Sequence, residues 1–131
     1  MVFAALAGFV FAACAGQSSA AVLGGSIEYT KSGGIAGVEE SMKIDRNARG
    51  RIGAKRFTLP ARDGRALATA VRRADLARVK SPKGTCCDFF QYEVRYRGHR
   101  VTWDEGNVDA LPRRMRELHQ RLATLYERYT G

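Results

Sequence analysis

Charge is missing from the first 27 residues. No Asp, Glu, Lys or Arg precedes Glu28, and all 22 Lys and Arg and all 13 Asp and Glu follow from there. The chain therefore divides into an uncharged leader, residues 1–25 with its linker, and a charged body, residues 26–131. Cysteine is scarce as well: Cys14, Cys86 and Cys87 are the three in 131 residues. That excludes a disulfide scaffold. Cys86 and Cys87 are sequence neighbours, with Cα atoms held about 3.8 Å apart, below the usual disulfide range. They are free, joined in a vicinal bond, or paired to another chain.

Catalytic signatures are absent too. The sequence has no HExxH, no G-x-S-x-G, no P-loop and no GxGxxG, which removes the commonest zinc-hydrolase, serine-hydrolase and nucleotide-binding chemistries. Its two histidines, His99 and His119, fall on different predicted elements. A zinc site built from them with Cys86 and Cys87 needs three segments to converge, so no metal is assigned. Neither cysteine has an evident base partner. Asp88, Asp104 and Glu105 are isolated acids. The expectation is a binding protein without cofactor, not an enzyme.

The leader is what is present instead. Residues 1–13 form an apolar run of signal-peptide length followed by small residues. The run is shorter than the ~20 residues of a membrane-spanning helix. "FAAC" at 11–14 is similar to a bacterial lipobox, which would lipidate Cys14 and attach the chain to a membrane. "SSA" at 18–20 is similar to an ordinary signal-peptidase site. A buried N-terminal helix is the alternative, disfavoured by the linker-like Gln-Ser-Ser-Ala-Ala-Val-Leu-Gly-Gly stretch behind the run. The expected location is outside the cytoplasm: the outer face of the cytoplasmic membrane, the periplasm or the medium.

The net charge of +9 is carried mainly by arginine. In the cytoplasm such a balance suggests nucleic acid. For an exported chain it suggests anionic polymer, lipid headgroups or an acidic protein, and nucleic acid is not expected as a partner. The arginines are spread over every segment rather than gathered in one stripe, which weakens charge as a signal of function.

Periodicity gives six elements in the body. Ile27 and Tyr29 alternate with polar neighbours over 26–31. Val38, Glu40, Met42 and Ile44 share a face over 38–45, so 32–37 closes a hairpin. Residues 46–57 are basic, contain glycine and show no period, which reads as a mobile loop. Leu67, Ala70, Val71 and Ala74 mark a helix within 58–79, with Asp63 as candidate N-cap. Residues 80–87 read as a loop. Phe90, Tyr92, Val94 and Tyr96 share one face of a strand at 88–96, and Phe89 falls on the other with Gln91 and Arg95. That opposite face could be an open platform for a partner. Arg97-Gly98 turns the chain into a strand at 99–104 carrying Val101 and Trp103. Met115, Leu118, Leu122, Leu125, Tyr126 and Tyr129 define a last helix, capped by Asn107 or Asp109. Pro112 is tolerated in its first turn, and Glu117 and Arg121 form an i, i+4 pair. The order predicts an α+β fold: a four-stranded, mainly antiparallel sheet in strand-strand-helix-strand-strand-helix order, with helices on one face.

Ser32-Gly33-Gly34-Ile35-Ala36-Gly37 after a first strand, Asp88 with Tyr92 in the third, and Leu111-Pro112 opening the last helix together carry a likeness. Over roughly residues 26–125 the chain resembles the emfourin family, small proteinaceous inhibitors of thermolysin-like zinc metallopeptidases, with protealysin the namesake target. The long basic segment at 46–57 and the Cys86-Cys87 pair depart from the family pattern. The resemblance implies competitive blocking of a metallopeptidase cleft. Physics then asks for a loop that is rigid beforehand and lets backbone approach backbone. Ser32, Gly33, Gly34, Ile35, Ala36 and Gly37 fit that requirement. One loop is smaller than a standard interface, so Arg97, Gly98 and His99, or the basic segment, would supply a rim. The same six residues would also serve as a plain turn. The alternative function is a basic envelope lipoprotein that binds anionic cell-surface polymer or membrane and has no protease target.

Overall fold

The computed structural model describes residues 22–84 and 88–131. Cys14, the 18–20 site and the Cys86-Cys87 pair lie outside the described residues. No helix among the described residues is long and apolar enough to cross a membrane.

The predicted hairpin forms. β1 (Ile27–Gly33) and β2 (Val38–Ile44) pair antiparallel, with Ile27 opposite Ile44 and Tyr29 opposite Met42. The other edge of β1 pairs antiparallel with β5 (Phe90–Tyr96), which continues through a tight turn into β6 (His99–Asp104). Arg97 and Gly98 both take positive φ there, +48° and +79°. Two consecutive left-handed residues match the twist of a two-residue hairpin.

The sheet has six strands rather than four. Residues 46–57, read as a mobile loop, contain β3 (Arg49–Ile52) and lead into β4 (Lys55–Thr58), giving the order β4-β3-β2-β1-β5-β6. The alternation was hidden by a glycine. Gly50 and Ile52 occupy the inner face between Arg49 and Arg51, and Gly50 pairs with Phe57. A glycine shows no apolar period. Its bare inner side is nonetheless needed, because a methyl there would penetrate the Phe57 ring. That ring stacks on Tyr129 at 3.9 Å and 8°. Asp45 sets the β2–β3 connection by accepting the N–H groups of Asn47 and Arg49 at 2.8 and 3.0 Å.

Both helices cover the inner face. α1 (Ala61–Ala74) and α2 (Arg113–Thr130) contribute Leu67, Val71, Ala74, Met115, Leu118, Leu122 and Leu125 to one core with Ile27, Ile44, Val94, Val101 and Trp103. Leu23, in the stretch read as linker, is buried in that core, and the N–H groups of Val22 and Leu23 bond to the Arg46 carbonyl.

Helix starts differ from expectation. Pro60 occupies the N-cap position of α1. Asp63 lies inside the first turn, where it takes Arg128 of α2 at 2.7 Å instead of a backbone N–H. α2 begins at Arg113, after a 3-10 turn over Glu105–Ala110, with Pro112 as its N-cap. The Asn107 side chain is diverted: it accepts the Asp104 N–H at 2.8 Å and donates to the Lys83 carbonyl at 2.7 Å. Glu117 pairs with Arg113 at 3.1 Å, a turn earlier than the expected Arg121.

Gly50→Ala is expected to lower unfolding free energy by about 1–3 kcal/mol, the usual cost of overpacking a filled site. Urea unfolding would measure it. A second substitution, Phe57→Ala, should leave little further cost for the alanine at 50 if the ring is the obstacle.

Candidate partner-binding surface

The tip of the β1–β2 hairpin is built by backbone constraint. Gly33, Gly34 and Gly37 take φ of +94°, +74° and +62°, a region that L side chains rarely enter. The Gly37 N–H closes the turn on the Gly34 carbonyl at 3.2 Å. Gly34 is constrained twice, because a Cβ there would lie 2.9 Å from the Phe90 ring. Phe90 therefore braces the tip from below. Its ring carries Lys31 Nζ at 4.1 Å from the centroid, and its N–H reaches Glu105 Oε2 at 3.4 Å.

Ile35 stands out from this braced turn at 96% exposure. Phe89, 45% exposed, sits just before β5 at the same end of the sheet, since Gly33 pairs with Phe90. Among the described residues these two are the exposed large apolar side chains. The sequence had placed Phe89 on the open face with Gln91 and Arg95. It precedes the first strand residue, so strand alternation does not govern it. Of the residues on the opposite face, Val94 is buried, while Phe90, Tyr92 and Tyr96 are half-buried.

The expected contact set splits in two. Ser32 and Gly33 end β1 and Gly34 to Gly37 form the tip. Arg97, Gly98 and His99 lie at the other end of β5, beside Ile27. Six strand steps separate the ends, about 20 Å. The β3–β4 turn at Gly53 points toward the tip end instead, two strands away from β1. Lys31, Phe89, Phe90 and Glu105 join the tip although sequence reasoning did not assign them to it. The signal for them is the β1–β5 pairing, which no local pattern reports.

A second grouping surrounds His119. Its ring lies 5.9, 4.7 and 5.0 Å from those of Tyr29, Tyr92 and Trp103, and the Tyr29 hydroxyl is 3.4 Å from Nδ1. Burial lowers the imidazole pKa below its ordinary 6.5 and raises that of the Tyr29 phenol. Both rings are neutral at pH 7, and the group works as packing. Among the described residues no set of three or more His, Cys, Asp or Glu could hold a metal.

No family model matches the chain, and neither a curated protein nor a solved structure matches it.

Two outcomes follow from this geometry. Gly34→Ala should cost more stability than Gly37→Ala, since position 37 has nothing within 4 Å of an added Cβ and carries the φ strain alone. About 1 kcal/mol is expected at 37 and about 2–3 at 34, by chemical denaturation. For His119 the sign is fixed by the lowered folded pKa. The unfolded chain binds the proton first, so stability is complete above 6.5 and declines as pH falls through the folded pKa. Melting temperature should drop between pH 7.5 and about 5.5, and the drop should shrink in His119→Phe.

Proposed function

We propose that the chain is an exported proteinaceous inhibitor that blocks the cleft of a thermolysin-like zinc metallopeptidase, and that Cys14 is its site of lipid attachment. The observation that carries this reading is the direction of Ile35. An isoleucine left almost wholly in water on a glycine turn contributes nothing to the core, so its apolar surface is available to a partner.

The tip has the physical properties such a task demands. It is convex, and the closing hydrogen bond and the Phe90 ring hold it, so little conformational entropy is lost on entering a cleft. Left-handed residues at 34 and 37 keep the turn from straightening. A peptidase acts on a peptide bond presented in line with its catalytic groups, and a locked turn keeps its bonds out of that alignment. Phe89 extends the apolar area at the same end. The excess positive charge of the body speeds encounter with an acidic cleft rather than fixing affinity. Arg97 to His99 fall outside a contact centred on the tip.

The purified chain is expected to give stoichiometric, slowly dissociating inhibition of at least one thermolysin-like enzyme in a panel. Ile35→Asp should leave unfolding free energy within about 0.5 kcal/mol of the parent. The same change should weaken inhibition by about 30-fold or more, the size of a hot-spot loss. Arg97→Ala should change inhibition less than about twofold. Full protease activity across the panel at micromolar excess of the chain defeats the proposal.

A further inference from the structure

The outer face of the sheet, opposite the helices, carries an ordered row of charge. Arg56 pairs with Arg51, Arg51 with Lys43, Lys43 with Glu28, Glu28 with Arg95, and Arg95 with Arg100. One cross-strand line through all six strands thus holds five cations and one acid. Its two halves differ. On the β5–β6 side, Glu93 takes both Arg95 and Arg100, the latter at 2.8 Å. On the β2–β3–β4 side, Lys43, Arg51 and Arg56 stand directly opposite one another, with Arg49 close by. Among the described residues none of these four has an ion-pair partner. Two acids lie near them: Glu28 stands opposite Lys43, and Asp45, whose Oδ1 already accepts two backbone N–H groups, borders the same area.

Like charges facing one another across strands destabilise a sheet. Protection of an exposed edge accounts for cations on β4. It does not account for Lys43 and Arg51 on two interior strands. The cations border a shallow hollow of about 530 Å³, lined also by Asp45, Phe57 and Thr58. Arg51 is held ready by a hydrogen bond from Nε to the Gly53 carbonyl at 2.9 Å.

We propose that this hollow binds a linear polyanion that carries no bases, an unbranched chain of closely spaced anionic groups running across β2, β3 and β4. Strands lie about 4.8 Å apart, so the three facing cations span about 10 Å and meet successive anions of one chain. Stacking on bases requires exposed aromatic rings. The Phe57 ring faces inward against Tyr129, and no other aromatic residue lines the hollow. A concave site also suits a chain better than a flat lipid surface. The hollow lies on a different surface from the hairpin tip, so this binding stands independently of protease inhibition.

Inorganic polyphosphate is the probe, titrated calorimetrically into the full chain at about 0.1 M salt. The variant Lys43→Gln/Arg51→Gln/Arg56→Gln is expected to bind about tenfold more weakly or worse. Its affinity should also fall less steeply with salt, the logarithmic slope shrinking by about 2 for three lost contacts. Arg65→Gln/Arg72→Gln/Arg73→Gln on α1 removes the same charge and should stay within about twofold of the parent. Arg51→Gln alone, with an expected loss of about threefold, replaces the triple variant if circular dichroism shows that variant unfolded. Equal weakening by the two triple variants overturns the proposal, since diffuse net charge would then suffice. Absence of binding overturns it too, as does tighter binding of an oligothymidylate or of anionic vesicles than of polyphosphate.

Discussion

β1 is hydrogen-bonded along both edges, to β2 on one side and β5 on the other, over its whole length. A strand paired on both sides cannot slip by one residue without turning Ile27 and Tyr29 out of the core. That single register places Ile27 between Ile44 and Tyr96, and Tyr29 between Met42 and Val94. It also puts Gly33 beside Phe90, which brings the ring under Gly34. The same register lines up Lys43, Glu28 and Arg95 on the outer face. The braced tip and the charge row are thus two results of one pairing, expressed at the end of the sheet and on its open side.

The parts of the fold legible in the sequence are those whose signal is local. Both hairpins around β1–β2 and β5–β6 show alternation with a glycine between, and α2 shows a clear helical stripe ending in the buried Leu125. β3 was not legible because one of its two inner residues is Gly50, which has no side chain to register, leaving Ile52 alone to mark the face. The start of α2 was misplaced because Asn107 looks like a cap, but its side chain is spent tying the 3-10 turn to the loop at Lys83. Asp63 likewise was drawn to Arg128 on the neighbouring helix, a partner 65 residues away. The glycines of the candidate site could be read directly. The outward direction of Ile35 could not, since a side chain in a turn belongs to neither period. Phe90 as a brace depends on a pairing between strands nearly sixty residues apart.

Two surfaces of different character result. The tip is small, apolar and backbone-rigid, suited to insertion. The outer face is broad, polar and cationic, suited to long-range attraction and salt-sensitive contact. They share no residue, so substitutions on one should leave the other intact. One surface can in this way be occupied while the other remains free.

The placement of α2 has a consequence for how the molecule comes into being. Met115, Leu118, Leu122 and Leu125 close the inner face, and they follow every strand in chain order. A growing polypeptide presents every strand and α1 before the second half of its cover. Until that helix arrives, α1 alone covers Ile27, Ile44, Val94 and Val101, so the core is completed by its latest part and assembles as a whole. A core that closes only with its last helix folds as one unit, so a chain cut before Met115 would leave those strand residues partly uncovered.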